Sequence, residues 1–190
     1  MTNDDRQLIA RCLQGDSSAY EPLVLRYQDR LYNAVFRMLN SAEDAADVVQ
    51  EAFIGAYQSL HSFKGESGFF TWLYRIAFNV AISLKRKRRI AASLDWDSGE
   101  RQFPEPVEDN PNIHPDKNLE RSEEEELLQK ALDRLTNEHR MIIILNDIQD
   151  EKYEDIAEIL GIPIGTVRSR VHRARAELRS IIMELEGLTE

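Results

Sequence analysis

Two helical stretches carry side chains suited to holding nucleic acid without making or breaking bonds. The first reads "PIGTVRSRVHRAR" at residues 163–175, and it gathers Arg168, Arg170, Arg173 and Arg175 around Ser169 and His172, with Arg179 following. At about 100° per residue, Val167, Val171, Ala174 and Leu178 share a narrow stripe that Ile181 and Ile182 continue. That stripe must face inward, so Ser169, His172, Arg173 and Ala176 point outward, flanked by Arg168 and led by Gly165. Arginine bonds a guanine edge with both arms of its fork, and Ser or His reaches base edges or phosphates, so the face suits the major groove of DNA. A merely solvated helix would mix charges to gain pairs one turn apart, whereas five arginines here meet the single acid Glu177 before Glu184.

The second stretch is "FFTWLYRIAFNVAISL" at residues 69–84. Phe69, Leu73, Ile76, Val80 and Leu84 form its inward stripe, which leaves Phe70, Trp72, Tyr74, Phe78 and Ile82 off it among Thr71, Arg75 and Asn79. A small domain cannot bury them all. Exposed aromatics interleaved with such residues, beside a loop holding Gly65 and Gly68, suit the stacking of unpaired bases, worth roughly 1–3 kcal/mol each. The helix ends in Lys85-Arg86-Lys87-Arg88-Arg89, a run that suits phosphates and also reads as a solvated helix end. For Trp72 and Tyr74, packing in a core or against a protein partner stays open beside stacking.

The elements that must position these faces are all helical. Leu8, Ile9, Cys12 and Leu13 form a short stripe, followed by a helix over about 18–40 with Pro22 in its first turn. Ser41 is placed to cap a helix whose buried stripe runs Val48, Val49, Ala52, Phe53, Ala56, Tyr57 and Leu60. "SFKGESGF" at 62–69 makes a loop. Further on, Ser122 with Glu125 reads as a capping box, and a helix over 137–148, a short helix at "YEDIAEILG", a turn at Gly161 and a long basic helix complete a helix-turn-helix pattern. No strand alternation occurs, so the class is all-α: two small helical domains over 1–90 and 122–190, with a flexible acidic linker over 91–121. That linker resolves the charge balance. Of the net charge of −10 on 190 residues, nearly all lies between Asp95 and Glu126, where twelve acids face three bases, and the segment also holds four of the six prolines.

Other chemistry is excluded or unsupported. The lone Cys12 cannot form an internal disulfide and reads as core, and the four histidines are scattered without metal spacing. Neither a nucleophile elbow nor a phosphate loop nor a carboxylate pair appears, so no cofactor, metal or small-molecule substrate is expected and an enzyme acting on nucleic acid is disfavoured. No apolar run of about twenty residues exists to insert into a membrane, and the N-terminus lacks a signal-peptide pattern, so the location expected is cytoplasmic.

The runs "DVVQEAFIGAYQSLHSFKGESGFFTWLYRIAFNVA" and "YEDIAEILGIPIGTVRSRVHRARAELR", in this order around a variable linker, resemble the extracytoplasmic-function sigma factors of the bacterial sigma-70 family. The resemblance implies partners and roles. Asp47, Gln50, Glu51 and Phe53 would dock on the β′ clamp of core RNA polymerase, whose β flap would meet the second domain. Phe63, Lys64, Ser67, Phe70, Trp72, Tyr74, Arg75, Asn79, Lys85 and Arg86 would recognise and melt the downstream promoter element. Arg168, Ser169, His172 and Arg173 would bind the upstream element, and an anti-sigma factor, often membrane-anchored in the family, would hold the protein inactive. Departures are Thr136 where relatives often carry Pro, Lys152 where they carry Ser, and His172 at a position that varies; the first two alter helix caps. Remaining rivals are a helix-turn-helix regulator that never touches polymerase and a helical adaptor that binds only protein.

Overall fold

The structure is a computed structural model that describes the backbone of residues 3–94 and 115–187 and the side chains of 4–88 and 123–187. Helix α1 (Asn3–Leu13) starts with Asp4 and Asp5, where the helix dipole favours carboxylates, and buries Leu8, Ile9 and Cys12 as the spacing predicts. Arg26 of α2 (Glu21–Leu39) pairs with both acids, and the Tyr27 hydroxyl donates to Asp5 at 2.8 Å. Pro22 sits in the first turn of α2, where no backbone donor is needed. Asn40 ends that helix in the left-handed region at φ 53°, a conformation asparagine tolerates. Ser41 then caps α3 (Ala42–Gln58) by accepting from the Asp44 N–H at 3.3 Å. A loop leads to α4 (Phe69–Leu94), whose Arg88 donates to the buried Asp44 carboxylate at 2.6 Å.

The second domain comprises α5 (Pro115–Arg134), α6 (Asn137–Ile143) with a wider turn over Ile144–Ile148, α7 (Tyr153–Leu160) and α8 (Ile164–Leu185). Thr136 caps α6, its hydroxyl accepting from the His139 N–H at 3.3 Å, so the residue that departs from proline supplies a working cap; Lys152 caps α7 with no side-chain bond. Gly161, at φ 64°, closes α7 and turns the chain into α8. Among the described residues every regular element is helical, which agrees with the all-α expectation.

Two expected boundaries move. Helix α4 runs on through Ala91 and Ala92 to Leu94, because nothing after the basic run breaks it. Helix α5 begins at Pro115, so Ser122 lies inside it and not at its start: proline's fixed φ and missing donor suit a first helical position, and Asp116 follows where acids are favoured. The expected linker over 91–121 therefore overlaps helix at both ends, and its residues 95–114 lie outside the described residues.

The two domains share one continuous core, with α7 packed on α4 and α2 touching α5, α6 and the turn after α6. Polar groups frame the contact. Arg30 donates to the Gln149 side chain at 3.1 Å, to its carbonyl at 2.8 Å and to Glu151 at 2.8 Å. Thr71 donates to Asp155 at 3.2 Å, and Asn40 to Asp133 at 2.6 Å.

Candidate nucleic-acid interface

In α8, Val167, Val171 and Ala174 are buried against α5 to α7, which aims the opposite side of the helix at solvent. Arg168, Ser169, His172 and Arg173 are all exposed there. The arginines divide into two sets. Arg170 pairs with Glu138 at 3.1 Å, and Arg175 donates to Asn146 at 2.9 Å and to Asp147 at 3.0 Å, the bond to Asp147 raising its pKa. The acid Glu177 is turned toward His139, 2.5 Å away. Among the described residues no acid pairs with Arg168, Arg173 or Arg179, so the outward cations stay available while the flanking ones anchor the helix to its own domain. Spacing alone cannot separate those sets, since the acids that bind Arg170 and Arg175 lie 28 residues or more upstream.

The face of α4 is different. Phe70, offered for stacking, and Trp72 and Tyr74, left open between stacking and packing, are buried, as is Phe78, and each retains under a tenth of its accessible surface. Side chains of the first domain cover much of these rings, and α7 of the second domain packs on the same helix. Phe70 carries the Arg30 guanidinium over its ring at 4.1 Å, and next to it Thr71 bonds Asp155. Burial drives the Tyr74 pKa up, with the nearby Glu151 adding to it. Trp72 is covered differently: Phe63, folded back from the 63–68 loop, tilts against it at 5.1 Å between centroids. Lys85 also departs from expectation. Its ammonium turns inward to the Met38 carbonyl at 2.8 Å, and burial together with Arg140 pushes its pKa down to about 8. Lys64, Arg75, Asn79 and Arg86 remain exposed, and Phe63 and Ser67 are half-buried.

On α3, Asp47, Gln50 and Glu51 are exposed on one side, but Phe53 is only 7% exposed and packs edge-on to Tyr20, so it belongs to the core rather than to a docking face. Ile54, 51% exposed, and Tyr57 hold the outward apolar positions instead. The spacing of Asp47, Gln50, Ile54 and Tyr57, three or four residues apart, is the signal that finds this surface. A groove of about 350 Å³ between α3 and α4 joins it to the other face, lined by Asp47, Glu51, Asn79, Ser83 and Lys87.

Comparison with known proteins agrees with the division into two units. The pattern of Sigma-70 region 2 matches residues 23–90, and that of Sigma-70, region 4 matches residues 125–178. The chain is 37% identical over 183 residues to the RNA polymerase sigma-H factor of Pseudomonas aeruginosa, covering 95% of each. It is 40% identical over 183 residues to the ECF RNA polymerase sigma-E factor of Escherichia coli, again over 95% of each. Among solved structures, CnrH in complex with the cytosolic domain of CnrY superimposes with a TM-score of 0.70 at 27% identity, covering 95% of this chain and 97% of that one. The sigma factor RpoE in complex with the anti-sigma factor NepR, from Bartonella quintana, gives a TM-score of 0.70 at 30% identity over 86% of this chain and 96% of that one.

Proposed function

Because the chain belongs to the extracytoplasmic-function sigma factors of the sigma-70 family, we propose that it binds core RNA polymerase and directs it to promoters in the cytoplasm, catalysing no reaction itself. The observation that carries this reading is the outward face of α8: Arg168, Ser169, His172 and Arg173 are solvent-facing and aimed by a buried Val167, Val171 and Ala174. The upstream promoter element is read there, in duplex form, by side chains already in place. Asp47, Gln50 and Glu51 dock on the polymerase clamp, with Ile54 and Tyr57 supplying the apolar contact in place of Phe53.

The downstream element is held as a single strand along the 63–68 loop and the exposed side of α4, where Lys64, Arg75, Asn79 and Arg86 offer charge and amide groups. Phe70 and Tyr74 join that site when the second domain moves off them. Melting is then favoured by trapping one strand, and two weak modules on one chain raise each other's effective concentration. An anti-sigma factor, of the kind bound to the Bartonella relative, is the partner that would withhold both domains from polymerase.

The test is holoenzyme formation with purified core polymerase, followed by transcription from promoters recovered by sequencing induced transcripts. We expect binding, with Ile54→Ser weakening it at unchanged melting temperature. Tight duplex binding without any affinity for polymerase would instead establish the stand-alone regulator.

A further inference from the structure

The side chains that join the two domains are arranged around helix ends. The last carbonyls of a helix have no partner within it, and cations are favoured there. At the end of α2, the Arg37 carbonyl accepts from Gln129 at 3.2 Å, and the Met38 carbonyl accepts from Lys85 at 2.8 Å and from Arg140 at 3.0 Å. At the end of α5, the Leu132 carbonyl accepts from Arg140 Nε at 2.6 Å and the Asp133 carbonyl from its Nη2 at 2.7 Å. One buried guanidinium thus closes two helices that belong to different domains. Its carboxylate partner, Asp133, lies 3.0 Å away and is itself bonded by Asn40 from the first domain.

At the opposite end of the contact, Arg30 reaches across to Gln149 and Glu151 while covering one face of Phe70. A base stacking on Phe70 would need such a ring face, and a guanidinium is a fitting stand-in because it is planar and attracted to the ring. Every polar group in these links is one that water satisfies when the domains part, so closure is reversible in a way that a wholly apolar seam would not be.

We propose that Arg140 and Arg30 form a clasp that holds the second domain shut over the Phe70 and Tyr74 face of α4 in the free chain, so that this face meets a single strand only after the clasp opens. The inhibitory role rests on the promoter-melting function proposed above, whereas the clasp itself does not. Polymerase, by binding the two domains apart, draws on the same equilibrium, so the population of the open form limits how tightly the free chain binds.

The test uses the full chain with Cys12→Ala and spin labels at the exposed positions Gln58 and Ser180, one in each domain. Distances are compared between the parent, Arg30→Ala/Asn40→Gly and Arg140→Gln. Glycine keeps the left-handed backbone at position 40, and Arg30 and Asn40 are both exposed, whereas Arg140 is buried, so the double variant remains folded if Arg140→Gln does not. The expected result is a single short distance in the parent and, in the double variant, a longer population increased about tenfold, with core polymerase bound about three- to tenfold more tightly. Unchanged distances in folded variants overturn the clasp. Longer distances without tighter binding, in a chain that does bind polymerase, overturn its inhibitory role. If neither the parent nor the variants bind polymerase, the sigma reading fails, and the distances alone decide the clasp.

Discussion

Helices α8 and α4 carry the same vocabulary of arginines, hydroxyls and rings, over 22 and 26 residues respectively, yet present it in opposite ways. In α8 the apolar stripe is complete within its own domain, so Arg168, Ser169, His172 and Arg173 stay exposed to a partner. In α4 two stripes are apolar, one for the core of the first domain and a second through Phe70, Tyr74 and Phe78, on a helix that Arg30 and α7 pack against. Duplex recognition needs only a rigid face. Holding unpaired bases needs aromatic surface, which is costly to leave in water, and this chain keeps such surface covered with its own second domain.

The sharpest way to break that contrast is to truncate a ring. Trp72 is 7% exposed and packs on Phe63 and Phe69, so Trp72→Ala should cost about 3–5 kcal/mol of unfolding free energy. Urea denaturation followed by circular dichroism measures it. A loss within about 0.5 kcal/mol, the range of exposed positions, would mean that the ring stands free and that α4 is as open as α8.

A smaller effect distinguishes the arginines of α8. Arg173→Ala should cost about 1–3 kcal/mol of duplex binding at the preferred upstream sequence and relax the preference there. Arg175→Ala should change duplex binding less, because Arg175 is committed to Asp147 and Asn146, and should instead lower the melting temperature. Electrophoretic titration against a panel of upstream sequences, beside a thermal melt, separates the two. A uniform loss over all sequences for Arg173→Ala would make it a phosphate contact and remove it from base reading.

What could be read from residue order follows the same division. The face of α8 was legible because its stripe is amphipathic and its neighbours in sequence complete the motif, down to the glycine at 161. Among the described residues the α-helices were legible from periodicity for the same reason, except that the wider turn over Ile144–Ile148 reads as a continuation of α6. The burial of Phe70 and Lys85 was not legible because it depends on residues far along the chain: Phe70 is covered by Arg30, and Lys85 is bonded at Met38 and neighbours Arg140, whereas Trp72, left open between core and stacking, is covered locally by Phe63 and Phe69. Helical spacing reports which side of a helix is apolar but not whether a second domain will lie against it. The start of α5 was hidden for a local reason, since Pro115 counts equally as a linker residue and as a first helical position.

The subtlest test uses protons. Burial and the like charge of Arg140 hold the Lys85 pKa down to about 8 from an ordinary 10.5, with Asp133 acting the other way. Below pH 8 the lysine is charged whether the domains are closed or apart, and closure carries the full penalty of burying that charge. Between about pH 8 and 10.5 the closed form releases the proton before the open form does, so closure strengthens as pH rises through that window and levels off above it. Lys85 is only partly buried, so solvent screening keeps the change modest. The distance distribution between labels at Gln58 and Ser180 should therefore narrow toward the short population from pH 8 to 10, and Lys85→Met should flatten the dependence. A parent chain that opens as pH rises would show that Lys85 keeps its charge in the closed form.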